Sequence, residues 1–457
     1  MVIARAAILV ALTLGSGVRA DQAGEAGVDR VLYRYTGDPA GEASGVLVDG
    51  ATGQIARLQH AVNLALLACG EEAGIATDGM FGRQTQSALE RVAACPPIAA
   101  RLPEGSEAAQ GAVTEALWSV LLPALPPPDA RMRMRALLLA FEGTDITRGA
   151  AWNFCQNNRE VYDASTIDQP CFTNDPASYL TWGPNGATAG HGHEILSILA
   201  RVEALDTRLI DSAFGDEAAP VRRMFDLRFG NAEEGAEPGQ ADRWGRDGEL
   251  RRYLCGVYLD LPRREIWSQG FARLGQNPAV QALYEAVYES ASFDGGKIRV
   301  FLNAWRDAGL EPTEIDFAFF ADRAAHTRVR NVEVRRILRR VLAALPEGAL
   351  PAQVRRGYAR VARVTNASQR SARLGRDVAY YIDALEDRLT RAEHHAWEAR
   401  GARRASAVGL SDARPAPELQ VGPPDGWRAT GLRPLTEAEA ALCPAPVLNP
   451  RRPPARS

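Results

Sequence analysis

The chain has 457 residues, 24% of them charged and 46% hydrophobic, with a formal net charge of −3. That balance excludes a collagen-like, wholly disordered or multi-span membrane protein, and it gives no overall basic field for binding nucleic acid. The length suits two or three domains, and Lys297 is the only lysine, so nearly all the positive charge is arginine.

Residues 1–20 carry Arg5, an apolar run from Ala6 to Leu14, and Val18-Arg19-Ala20 ahead of Asp21. This is the layout of a secretory signal peptide, with an apolar run too short to span a bilayer comfortably. The mature protein is therefore expected in the periplasm or secreted, with no stable membrane insertion. Six cysteines suit that compartment: Cys69, Cys95, Cys155, Cys171, Cys255 and Cys443. An even number without a C-x-x-C pair favours disulfides over a structural metal. The count leaves the connectivity open; closeness in sequence favours Cys69–Cys95 and Cys155–Cys171, leaving Cys255 with Cys443.

Residues 21–50 have no sustained period and read as a mobile leader. A compact unit follows over 50–100. Ile55, Leu58, Val62 and Leu66 keep helical spacing, Asp78-Gly79 and Gly82 permit a tight turn, and Ala88, Leu89 and Val92 share one face of a second helix. A linker, one more helix near 112–122 and the Pro126–Pro128 run lead to a new helix from Asp129, with Met132, Leu138, Leu139 and Phe141 on a buried face. That helix ends at Glu142-Gly143. A carboxyl against apolar walls has its charged form disfavoured, which suits a general acid near neutral pH.

Asn185-Gly186, between Leu180-Thr181-Trp182 and Ala187-Thr188-Ala189, predicts a β-hairpin whose glycines let backbone approach a sugar closely. His191 and His193 share a strand face but have no third residue at ligand spacing, so neither a metal nor a cofactor is implied. Trp152, Tyr179 and Trp182 suit either sugar stacking or the core. Amphipathic helices continue to about 345, including an aromatic helix opened by Pro312-Thr313. A helical extension fills 346–400. The Pro- and Arg-rich stretch 410–457 reads as a disordered tail, part of it pinned by Cys443.

Two sets of residues carry a family likeness. Leu58-Gln59-x-x-Val62-Asn63, followed by Asp78-Gly79-x-Phe81-Gly82-x-x-Thr85-x-x-Ala88-Leu89, resembles the peptidoglycan-binding domain 1 family. The resemblance implies a three-helix wall-binding module with Asp78, Phe81 and Arg83 as contact candidates, although Phe81 suits a core equally well. Phe141-Glu142-Gly143 and Thr188-Ala189-Gly190-His191-Gly192-His193 resemble the lysozyme superfamily, most nearly the phage-type lysozymes. That likeness implies a lysozyme-like α+β domain over 129–345, mainly helical with one small hairpin. Glu142 would be the general acid and Thr188 would hold the attacking water, with Trp182 and His191 as substrate-binding candidates. The family's aspartate before the threonine is replaced here by Trp182, which leaves Asp175 as the candidate base or Glu142 acting alone. The expected function is an exported bacterial glycosidase cutting the β-1,4 glycan of peptidoglycan. A lytic transglycosylase, a chitosanase-like enzyme and a non-catalytic wall-binding protein are the alternatives.

Overall fold

The computed structural model describes residues 29–37, 46–49, 53–142, 146–152, 180–183, 186–189, 194–230, 249–289, 297–326, 331–362, 374–378, 380–382, 388–399, 405–419 and 435–442. The expected signal peptide lies outside them, as do Cys155, Cys171 and Cys443. The protein is mainly helical with a few short strands, and no helix among the described residues is long and apolar enough to cross a membrane.

The N-terminal unit contains β1 (Val31–Tyr33), β2 (Leu47–Val48), α1 (Gln54–Ala68), β3 (Met80–Phe81), α2 (Arg83–Ala94), α3 (Pro96–Ala99), β4 (Val113–Thr114) and α4 (Glu115–Leu121). The buried stripe of α1 includes Ile55, Leu58, Val62 and Leu66, and that of α2 includes Ala88, Leu89 and Val92, as their helical spacing requires. A disulfide between Cys69 and Cys95 joins the ends of these two helices. Closing a loop of this length contributes about 3–4 kcal/mol in the chain-entropy account. The stretch expected as a mobile leader instead supplies two strands. β1 pairs antiparallel with β4 and β2 with β3, and Leu32, Tyr33 and Leu47 are fully buried. Strands of two or three residues are too short to show a period, which is why the sequence hides them. The unit therefore begins before residue 50 and runs past 100.

α5 (Ala130–Glu142) joins two hydrophobic cores. Its residues Ala130, Ala136 and Leu137 belong to the first core, which also holds the N-terminal unit. The chain just beyond it, at Ile146, belongs to the second. That second core is built from β5 (Ala151–Trp152), β6 (Leu180–Trp182), β7 (Ala187–Ala189), α6 (Glu194–Leu205), α7 (Thr207–Phe214), α8 (Ala218–Gly230), α9 (Glu249–Leu259), α10 (Leu261–Gly275) and α11 (Pro278–Glu289). The hairpin is widened to a three-stranded antiparallel sheet in the order β5-β6-β7.

α12 (Lys297–Asp307), α13 (Glu314–His326), α14 (Asn331–Leu342) and α15 (Pro351–Val361) return to the first core. The expected single block over 129–345 is thus divided: 146–287 share one core, while the later helices pack with the N-terminal unit. Met132, expected inside, is 43% exposed, and its neighbour Arg133 is buried instead. Arg133 donates to the carbonyls of Pro128 and Val408 and to Glu314, so its charge is partnered wherever it meets protein. Thr313 and Asp316 cap α13 reciprocally through backbone and side-chain hydrogen bonds of 2.9 and 3.1 Å, and Phe317, Phe319 and Phe320 behind the cap are core, as predicted.

Part of the segment expected as a disordered tail is a docked strap. Arg34 N donates to the Ala407 carbonyl, Asp412 takes two hydrogen bonds from Arg355, and Arg414 pairs with Glu314. Alternating backbone hydrogen bonds from Glu314 N to Arg414 O and from Ala416 N to Pro312 O hold the strap to the start of α13. Composition points to disorder here because the anchoring side chains are charged rather than apolar. Cys255 on α9 is disulfide-bonded. The helix immediately before Cys443, α17 (Glu437–Ala441, after α16 at Arg391–Ala399), packs on α9, where Leu442 abuts Gly256.

Glu393 at the start of α16 is almost wholly buried. Burial alone would raise its pKa. The hydrogen bonds from Arg356 and from the Thr390 backbone and hydroxyl, with the Arg360 charge, outweigh burial and hold it at about 2. A folded-state value below the ordinary 4.5 means that this contact stabilises fully above that pH and is lost as pH falls towards about 2. Glu393→Gln is expected to lower the melting temperature most near neutrality, with the gap to wild type closing through this acid window. A gap that stays constant with pH would contradict the assignment.

Candidate active site

In the N-terminal unit the family-like residues hold a loop in place. Gln59, 2% exposed, donates through Nε2 to Asp78 Oδ1, the Met80 carbonyl and Thr85 Oγ1, while its Oε1 accepts from Gly79 N. Asn63 pins the preceding stretch by exchanging hydrogen bonds with both backbone groups of Ile75. A buried amide with four partners is satisfied only if the loop keeps this shape, which explains the Leu-Gln-x-x-Val-Asn spacing. Of the three contact candidates, Phe81 is fully buried against Tyr33 and belongs to the core. Asp78 forms a local turn by accepting from Met80 N. Arg83 is exposed at the first turn of α2.

Glu142 is the last residue of α5, and buried Leu137, Leu138 and Leu139 precede it on that helix. The side chains of residues 140–142 and the whole of 143–145 lie outside the described residues. Four residues beyond Glu142, the Ile146 carbonyl accepts a 3.0 Å hydrogen bond from Trp182 Nε1. This ties the continuation of α5 to β6.

Trp182 is 1% exposed. Its indole meets the rings of Phe271 and Tyr284 at centroid distances of 5.1 and 5.6 Å, and Tyr284 Oη donates to its carbonyl. It is a core residue, and the expected sugar-binding role is corrected accordingly. Trp152 likewise packs on Tyr258 and Trp267. Between β6 and β7, Gly186 N donates to the Gly183 carbonyl; Asn185 lies outside the described residues. Gly183 has φ +75°, and a side chain there would strike the Tyr284 ring.

Strand alternation sorts the sheet into two faces. Leu180, Trp182, Ala187 and Ala189 are buried. Thr181 and Thr188, directly paired across β6 and β7, lie on the opposite, half-buried face, with exposed Ala151 of β5 beside Thr181. Among the described residues, this face carries the small side chains Ala151, Thr181 and Thr188. Thr188 Oγ1 donates a 2.6 Å hydrogen bond to Glu194 Oε2 at the first turn of α6. The sequence offers Glu194, with Asp145, only as a reserve acid behind Glu142. Its signal is positional, an acid at the start of the helix that follows the hairpin, where a negative charge also suits the helix dipole.

Asp175 and His191 lie outside the described residues. Among the described residues no group of three His, Cys, Asp or Glu side chains is arranged to hold a metal ion. Trp182→Ala is expected to cost about 3–5 kcal/mol in urea unfolding, whereas Arg83→Ala should stay within about 0.5 kcal/mol. A near-neutral Trp182→Ala would return that side chain to the list of binding candidates. No family model, curated protein or solved structure matches the chain.

Proposed function

We propose that the protein is an exported cell-wall enzyme that cleaves the β-1,4 glycan of peptidoglycan, the N-terminal unit holding the wall while the α5 end and the β5–β7 sheet act on the strand. The observation that carries this reading is the Trp182–Ile146 hydrogen bond. Four residues span at most about 14 Å, so Glu142 stays near the hairpin that bears Thr188. The two stretches that resemble phage-type lysozymes are thus tied through Ile146 and β6, the strand paired with β7, which supports the reading although some 40 residues of chain separate them. A helix end on a packed core and a hairpin face lined by small polar residues make a rigid support for two reacting groups.

In this mechanism Glu142 protonates the leaving glycosidic oxygen as the bond to the anomeric carbon breaks, and Thr188 holds the water that attacks that carbon. The transition state is oxocarbenium-like. The chain's own residues supply proton transfer and positioning. The Gln59-centred loop of the N-terminal unit keeps Arg83 and the turn at Asp78 on the surface, where wall contacts can form.

Glu142→Gln keeps size and hydrogen bonding but removes the acid. It is expected to lower cleavage of purified sacculi by about 10²–10⁴-fold, with folding and sacculus binding retained. Mass spectrometry of the released fragments reads the outcome. Reducing ends from wild type support hydrolysis, and 1,6-anhydro ends mean transglycosylation instead. Intact glycan after wild-type treatment overturns the enzymatic reading, and near wild-type cleavage by Glu142→Gln overturns the acid assignment.

A further inference from the structure

The Thr188–Glu194 contact has a chemical consequence that the lysozyme resemblance does not supply. A threonine hydroxyl has one proton and two lone pairs, and an ionised carboxylate only accepts. With its proton directed at Glu194 Oε2, 2.6 Å away, Thr188 Oγ1 has acceptor capacity alone to offer on the half-buried face of the sheet. A water bound there must donate to Thr188, which turns a water lone pair outward. The cross-strand neighbour of Thr188 is Thr181, which in turn pairs with Ala151 of β5. Both partners stand on rigid elements: Thr188 in the middle of β7, and Glu194 in the first turn of a twelve-residue helix whose buried side includes Ile195, Leu196, Ile198 and Leu199. Trp182, at the position where the resemblance would put an aspartate, is committed to the core.

We propose that Glu194 is the positioning residue and terminal proton acceptor for the attacking water, acting through Thr188, and that the reaction inverts the anomeric centre. The proposal rests on the glycosidase reading above. As the water oxygen bonds to the anomeric carbon, one water O–H bond breaks and its proton passes to Thr188 Oγ1. The Thr188 proton moves to Glu194 Oε2. The bond from the anomeric carbon to the leaving oxygen breaks, and that oxygen takes the proton from Glu142. Glu142 has lost one proton and Glu194 has gained one, and exchange with solvent restores both. Water delivered opposite the leaving group gives the inverted product.

The test uses the full mature chain and soluble, uncrosslinked peptidoglycan glycan strands. Wild type is expected to release the α-anomer, read by proton NMR before mutarotation. Glu194→Gln and Thr188→Val should each lower kcat by about 10²–10⁴-fold with KM little changed, while Thr188→Ser, which keeps the hydroxyl, stays within about tenfold of wild type. A loss in kcat with KM and melting temperature unchanged in Glu194→Gln is an effect that a purely structural role for the carboxylate would not produce. A β-anomer or 1,6-anhydro product from wild type overturns the proposal without requiring any variant to fold. So does Glu194→Gln retaining wild-type kcat while Glu142→Gln is inactive. Absence of glycan cleavage by wild type itself marks the failure of the glycosidase reading, a result distinct from these.

Discussion

The fold depends on buried charge pairs that join segments far apart in sequence. Glu314 at the start of α13 is bound by Arg133 from α5 and by Arg414 from the strap. Two residues on from Glu314, Asp316 is bridged to Asp412 by the fully buried Arg355 of α15, which also donates to the Tyr381 carbonyl. Burial raises the pKa of Asp316, and the Arg355 charge and the Thr313 backbone hydrogen bond act against it. Deeper in, Arg323 pairs with Asp377, Arg376 pairs with Asp322, and the Tyr381 hydroxyl donates to Asp322. Separating any one partner leaves a charge in a poorly solvated place, at a cost of about 3–5 kcal/mol. These pairs accept few alternative arrangements, so they fix where the strap lies more tightly than apolar packing alone would.

That constraint reaches the N-terminal unit. The strap's Ala405–Val408 turn runs beside β1, and Arg133 reads its Val408 carbonyl. Gly409, at φ +63°, passes so close to the Val31 carbonyl that any side chain there would collide with it. The unit that resembles a wall-binding module is therefore built into the first core rather than hung on a linker. α5 runs out of that core and delivers its C-terminal end to the second, where the sheet lies. A single helix thus links the part proposed to hold the wall to the part proposed to act on it.

What could be read from the sequence follows from which interactions make a pattern. Helical stripes such as Ile55–Leu58–Val62–Leu66 and the aromatic run behind Thr313 are periodic and were legible, as were the hairpin and the Cys69–Cys95 bridge. The strands at 31–33 and 47–48 are too short for a period, and their partners lie some 80 and 30 residues away. The strap was missed because it is held by arginine and aspartate, which by composition indicate solvent. Met132, expected inside from helical spacing, is exposed, and Arg133 is buried because Glu314 and two backbone carbonyls partner its charge. At the site, the resemblance points to Thr188 and the sequence offers Glu194 only as a reserve acid; their pairing depends on β7 and α6 bringing the carboxylate to the hydroxyl. Phe81 and Trp182 show the converse: an aromatic residue in a family-like motif marks packing as readily as it marks a ligand.

In the proposed function the glycan lies on the half-buried face of the β5–β7 sheet, on the side of the end of α5. The most direct measurement is a crystal structure of Glu142→Gln with a bound peptidoglycan tetrasaccharide. The account predicts the strand lying across Ala151, Thr181 and Thr188 with its scissile oxygen at the end of α5. A saccharide seated elsewhere, with this face empty, would contradict it.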